Sequence, residues 1–357
     1  MLPRLGFLGV GWIGRHRLQA ILEAGVAEAA AIADPSDQMA AAALELASGA
    51  RRVGGLEEML ELPLDGIVIA TPSALHAAQS IAALKRGLAV FCQKPLGRNG
   101  DEVQRVLAAA RAADRRLGID LCYRHTVAAQ RLRSLIQEGA LGKIYAVDLV
   151  FHNAYGPDKP WFYDRRLSGG GCVADLGVHL VDLALWLLDW PDVIDVSAQM
   201  SAAGELLRGD AVEDYATAAL SLANGAAARL ACSWRLPVGQ DAVISAAFYG
   251  AAGGAVMRNV NGSFYDFELV RMRGTCAEQL VAPPDAWGGR AAVAWAEALK
   301  SRNGFDPEIV HVFEVARALD RLYAAAGADL SAHPDQEASI AGAGSAAADT
   351  RLRTRAL

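Results

Sequence analysis

Along the first third of the chain, short apolar runs alternate with stretches whose apolar residues recur at helical spacing. Residues 5–8 predict a strand and the pattern through Leu22 a helix. A second strand follows at 29–33, then helices at 38–47 and 56–62. Strands are expected at 66–70, 89–92 and 117–121, with helices at 80–86 and 102–111 between them. This order specifies an α/β unit, a doubly wound Rossmann dinucleotide-binding domain over residues 1–121.

The rest of the chain has a different rhythm. A helical segment runs to Gln137 and stops at Glu138-Gly139. A strand at 143–151 leads into a polar, aromatic loop from His152 to Tyr163. After Ser168-Gly169-Gly170-Gly171 the sequence is apolar almost all round to Leu188, which predicts a buried helix. Only Asp175, His179 and Asp182 interrupt it with ionisable groups, at i, i+4 and i+7, so a regular helix would carry all three on one face. Strands are expected at 193–200, 215–222, 226–234 and 243–248, with Asn224-Gly225 as a hairpin turn. A helix at 307–326 closes a C-terminal α+β domain, residues 122–326, built on a largely antiparallel open sheet. Residues 327–357, rich in Ala, Gly, Ser and Asp, read as a mobile tail.

A length of 357 residues is too great for one ordinary core, which agrees with two domains. The net charge of −6 argues against nucleic acid and gives no polybasic membrane surface. The apolar helix after Cys172 is too short and too interrupted by charge for a membrane span. No leader is expected before the first strand. Five scattered cysteines with no CxxC pair fit neither a disulfide framework nor structural zinc. The expectation is a cytoplasmic protein with a small-molecule partner.

The chemistry begins at Gly9-Val10-Gly11-Trp12-Ile13-Gly14, a GxGxxG between a strand and a helix, where a dinucleotide pyrophosphate binds. Asp34 lies 20 residues after Gly14, at the end of the second strand. That spacing suits a carboxylate on the adenosine ribose, with a turn-forming role before Pro35 as the competing reading. Two further segments sit at strand carboxyl ends: Thr71-Pro72-Ser73-Ala74-Leu75-His76, and Gln93-Lys94-Pro95. Lysine is scarce, five against 29 arginines, and its proton can be tuned where that of Arg cannot. Thr71, Pro72, His76 and Gln93 are therefore candidate cofactor contacts, and Lys94 a candidate for cofactor, substrate and catalysis. Asp175 and His179 are catalytic and substrate-binding candidates, and Arg124, His152 and Trp161 candidate substrate contacts. No metal is expected, since one helix cannot easily wrap Asp175, His179 and Asp182 round an ion.

Taken together, these motifs, with Glu138-Gly139-Ala140-Leu141-Gly142-Lys143-Ile144 and Gly169-Gly170-Gly171 before Asp175-Leu176-Gly177-Val178-His179, resemble the Gfo/Idh/MocA oxidoreductases. The resemblance implies an NAD-dependent dehydrogenase acting on a secondary hydroxyl of a sugar or polyol; Asp34, with no cation in Pro35-Ser36-Asp37-Gln38 to receive a 2′-phosphate, makes NADP less suited than NAD. It also implies a homodimer or homotetramer built through the open sheet. Relatives that retain NAD for redox-neutral glycoside hydrolysis, or that sense nucleotides without catalysis, define the alternatives. Two positions depart from the family pattern: Gln93 stands where Glu is usual before Lys-Pro, and Ser73 where Asn is usual after Thr-Pro.

Overall fold

A computed structural model describes residues 1–328. Six parallel strands, β1 Arg4–Leu8, β2 Glu28–Ala33, β3 Arg51–Arg52, β4 Gly66–Ile69, β5 Ala89–Cys92 and β6 Leu117–Ile119, form a sheet in the order β3-β2-β1-β4-β5-β6. Strands β4 and β5 are buried throughout, as expected of a sheet covered by helices on both faces. The covering helices are α1 Trp12–Glu23, α2 Asp37–Leu46, α3 Leu56–Leu60, α4 Ser73–Lys85 and α5 Gly100–Ala113. Helix α4 starts seven residues earlier than its periodicity predicts. Pro72, with φ −59°, stands just before its first turn, so Ser73 to His76 belong to the helix rather than to a loop.

A turn at Cys122–His125 and helix α6 Val127–Gln137 lead into the second sheet. Its strands are β7 Ile144–Asn153, β8 Val193–Ala202, β9 Glu205–Leu206, β10 Tyr215–Leu222, β11 Ala227–Ser233, β12 Ala242–Gly250, β13 Gly253–Asn259, β14 Phe267–Arg273 and β15 Cys276–Val281. The order β15-β14-β13-β12-β7-β11-β10-β8-β9 is antiparallel except where β7 and β11 run parallel. The hairpin at Asn224-Gly225 forms as expected, with Gly225 at φ 88° and Asn224 accepting from the Ala226 amide. Val147, Leu149 and Phe151 of β7 face the covering helices, and Asp148, Val150 and His152 face the other side.

The covered face holds the apolar segment from Cys172. It opens with a π-helical turn, Val173–Gly177, before continuing as α8 Val178–Leu187. Counting the short helix α7 Arg165–Ser168, the helical run Arg165–Leu187 has 23 residues and is long and apolar enough to cross a membrane by length and composition, against the expectation from Cys172 alone. Of its most apolar stretch 94% is buried inside the fold, as in a core helix.

Two helices join the halves. Helix α9 Arg290–Ala298, absent from the sequence expectation, returns to the first sheet, where Trp295 packs 5.6 Å from the Phe91 ring. Helix α10 Val312–Ala325 lies on α5 and α8 at once, and Asp320 accepts the amide of Gly100. The expected tail lies, from residue 329 onward, outside the described residues.

Candidate active site

The glycine fingerprint forms a cradle in which each glycine has a separate reason. Gly9 has φ 82°, and a Cβ there would stand 2.7 Å from the Ala70 carbonyl oxygen. A Cβ on Gly14 would stand 2.0 Å from the carbonyl oxygen of Gly9, so strand and helix can meet only without it. Gly11 faces open space, which leaves the backbone accessible to a pyrophosphate. The residues therefore fit a dinucleotide. Trp12 is more than half exposed at the helix start, and Ile13 follows it. Asp34 accepts the Val10 amide through one oxygen and the Ser36 amide through the other, both at 2.8 Å. It thus ties the fingerprint turn to the end of β2 while keeping lone pairs for a ribose.

Thr71 and His76 bind protein rather than open space. The Thr71 hydroxyl meets Gln79, and the buried His76 ring spans the carbonyls of Thr71 and Pro95, each 2.7 Å away. His76 thereby links the loop after β4 to the loop after β5, which carries Lys94.

Lys94 crosses from the first domain to the second. Its Nζ donates to Asp175 Oδ1 at 2.5 Å and to the Asp175 carbonyl at 2.8 Å, with both side chains less than one-fifth exposed. Trp234 Nε1 donates to the other carboxylate oxygen of Asp175 at 3.1 Å. Phe162 and Tyr163 stand edge-on to Trp234, and Trp161 stacks on Phe162 at 3.8 Å, so Trp161 lies one ring behind the Asp175 neighbourhood.

His179 sits edge-on to Tyr123, 4.9 Å between centroids, and beside Phe151. Burial, with the positive charges of Lys94 and Arg17, holds its pKa well below the usual imidazole range, so the ring is neutral near pH 7. Asp175, His179 and Asp182, expected on one face, take separate partners. Asp175 lies in the π turn and reaches Lys94, whereas Asp182 makes a two-bond pair with Arg124. That pair also corrects the reading of Arg124: its guanidinium is spent on Asp182 and lies over the Trp190 ring. His152 is a second correction. It bonds Ser233 Oγ at 2.8 Å and stacks on Tyr215, on the sheet face opposite His179, because neighbouring strand residues point to opposite sides. Among the described residues no cluster of three or more His, Cys, Asp or Glu could hold a metal ion.

Four residues that position this site belong to no motif in the sequence: Arg17, Asp120, Glu213 and Tyr323. Arg17 and Asp120 form a buried ion pair at 2.5 Å, and Gln93 Nε2 donates to the same Asp120 oxygen. Glu213 Oε1 accepts the amides of Gly171 and Val173 and the Tyr323 hydroxyl at 2.7–3.0 Å. The Glu213 carbonyl takes the remaining amide, that of Cys172. One residue thus satisfies three successive N–H groups at the start of the turn carrying Asp175. The one available signal was an ionisable residue at an otherwise apolar helix position, Arg17 in α1.

Comparison with known proteins agrees with this geometry. Residues 4–121 match the family described as "Oxidoreductase family, NAD-binding Rossmann fold", and residues 129–256 match the "GFO/IDH/MocA C-terminal domain". The chain is 31% identical over 258 residues to the rhizopine catabolism protein MocA of Rhizobium meliloti, covering 71% of this chain and 78% of that one. It is 28% identical over 265 residues to inositol 2-dehydrogenase of Rhizobium meliloti (strain 1021), covering 72% and 76%. Levoglucosan dehydrogenase, solved with NADH and levoglucosan, shares the fold at a TM-score of 0.79, with 20% identity over 92% of this chain and 97% of that chain. With the glycine cradle in one half and the Lys94–Asp175 contact joining it to the other, the chain belongs to the GFO/IDH/MocA oxidoreductase family.

Proposed function

We propose that this protein oxidises a secondary hydroxyl of a sugar, polyol or related compound, with NAD as acceptor. The observation that carries this reading is the meeting of Lys94, from the nucleotide domain, with Asp175 on the turn that leads to His179. Bound NAD would supply the hydride acceptor, held by Gly9, Gly11 and Gly14, with Asp34 on its ribose. The alcohol proton must leave as the hydride does, and neutral His179 is the acceptor. Lys94 donates to the reacting oxygen and stabilises its developing negative charge. Asp175 holds Lys94 in place and offers an acceptor to a neighbouring hydroxyl.

NAD is favoured over NADP because the Asp34 carboxylate would face a 2′-phosphate. The nearby cations are engaged as well: Arg51 pairs with Glu58 and Arg52 with Asp37. The uncovered sheet face, carrying Asp148, Thr217 and Arg229, supports a homodimer through that surface. A panel of polyols and aldoses followed by absorbance of the reduced cofactor tests the reading. Steady NADH accumulation with at least one of them is expected, with kcat/KM higher for NAD than NADP. Turnover of a glycoside without NADH accumulation would overturn it.

A further inference from the structure

Gln93 carries two hydrogen bonds of opposite sense. Its Oε1 accepts the backbone amide of Lys94 at 3.1 Å, and its Nε2 donates to Asp120 Oδ2 at 2.5 Å. An uncharged amide does both, with an acceptor at one end and donors at the other, whereas a carboxylate can only accept. Asp120 is fully buried, and the same Oδ2 receives Arg17 Nε at 2.5 Å. A network therefore runs from α1 through the end of β6 to the peptide of Lys94. A glutamate at position 93 could still accept from Lys94, but it would set a second carboxylate against Asp120. Two carboxylates that close cannot both stay ionised.

We propose that Arg17, Asp120 and Gln93 form a positioning unit for Lys94, in which Asp120 supplies the loop's negative charge and Gln93 must be an amide. The unit acts through the backbone of Lys94, so disturbing it changes where Nζ points without touching the glycine cradle. The inference rests on the role of Lys94 in the proposed reaction, and it predicts a compensating swap. In Gln93→Glu/Asp120→Asn the pair again holds one carboxylate and one amide beside Arg17. Because Arg17 and Gln93 share Asp120 Oδ2 in the wild type and Oδ1 has no partner among the described residues, the new amide must turn so that its oxygen meets Arg17 and its nitrogen the carboxylate at position 93. The other oxygen of that carboxylate accepts from Lys94, with the net charge unchanged.

The test compares the full-length wild type, Gln93→Glu, Gln93→Leu and the double variant. Three measurements are made: acylation of Lys94 by acetic anhydride read by mass spectrometry, NADH affinity by fluorescence, and turnover of the fastest substrate in the polyol and aldose panel. Gln93→Glu and Gln93→Leu should expose Lys94 to faster acylation and lower kcat about tenfold or more, with NADH affinity within about threefold. The double variant should return acylation and kcat to within about threefold of wild type. Wild-type acylation and kcat in Gln93→Glu, or a double variant no better than Gln93→Glu, would overturn the proposal. Should Gln93→Glu fail to fold, a folded double variant with wild-type Lys94 acylation supports it, and a double variant that also fails to fold overturns it. The acylation measurement needs no substrate, so absence of any dehydrogenase activity would sink the functional reading and leave this one standing or falling separately.

Discussion

The two halves of the site are each held by a buried carboxylate, and the two carboxylates are paired in opposite ways, Asp120 through one oxygen while its other has no partner among the described residues. Asp120, behind Lys94, is matched by a cation and by a side-chain amide. Glu213, behind Asp175, takes two backbone amides and a tyrosine hydroxyl on one oxygen. The partners differ because the elements differ. The start of the turn at Val173–Gly177 has unpaired N–H groups and the positive end of the backbone dipoles, so a carboxylate can sit there without a counter-ion. The end of β6 offers neither, and Asp120 needs Arg17. Ordering by backbone should tolerate loss of charge, and ordering by an ion pair should not.

The largest effects should come from the groups these two devices deliver. Replacing His179 by Ala should lower kcat by roughly 10²–10⁴, and Lys94→Ala by as much or more, with NADH affinity largely kept in both. If His179→Ala kept wild-type turnover at every pH, the proton acceptor would be Lys94. Comparable losses would show that both halves serve the chemical step.

Glu213 is next. Glu213→Ala leaves two amides and a hydroxyl without their acceptor and should cost about 3 kcal/mol or more of stability, read by urea unfolding. Glu213→Gln keeps an acceptor oxygen and should recover most of that. Burial raises the Glu213 pKa above its usual value of 4.5 despite the hydrogen bonds it accepts. The folded state therefore holds a proton that the unfolded state has released, and stability falls as pH rises from about 4.5 through the folded value. Glu213→Gln should gain on wild type as pH rises above about 4.5; a difference independent of pH would count against burial as the cause. His179 has the reverse sign: its lowered pKa makes the folded state lose stability as pH falls below about 6.5.

The smallest effect belongs to Trp234→Phe, which removes one donor from Asp175 and keeps the ring that Phe162 and Tyr163 touch. A decrease of about 2–10-fold in kcat/KM, the worth of one hydrogen bond, is expected. A loss as large as that of Lys94→Ala would mean that Trp234, rather than Glu213, sets the position of Asp175.

Much of this was legible in the chain itself. The glycine fingerprint, Asp34 at the end of β2, Lys94 after β5 and the apolar helix with Asp175 and His179 are local patterns, because each depends on residues within about one turn or strand of one another. Strands β13 to β15 and helix α9 were not legible. Their apolar positions are short and mixed, and their partners lie outside each segment: neighbouring strands and the distant α6 for β13 to β15, and α1, β6 and the Phe91 ring for α9.

The site's inner arrangement was decided by tertiary structure. Periodicity placed Asp175, His179 and Asp182 on one face, yet the first lies in a π turn and each finds a different partner. Arg124 and His152 have the composition of substrate contacts, but one finds Asp182 and the other lies beyond the plane of the sheet. Arg17 with Asp120 and Glu213 with Gly171 are separated by 103 and 42 residues. Residue types alone determine which groups need a partner when buried. Which partner each one finds depends on chain segments brought together only by the packed core, and that choice the tertiary structure made.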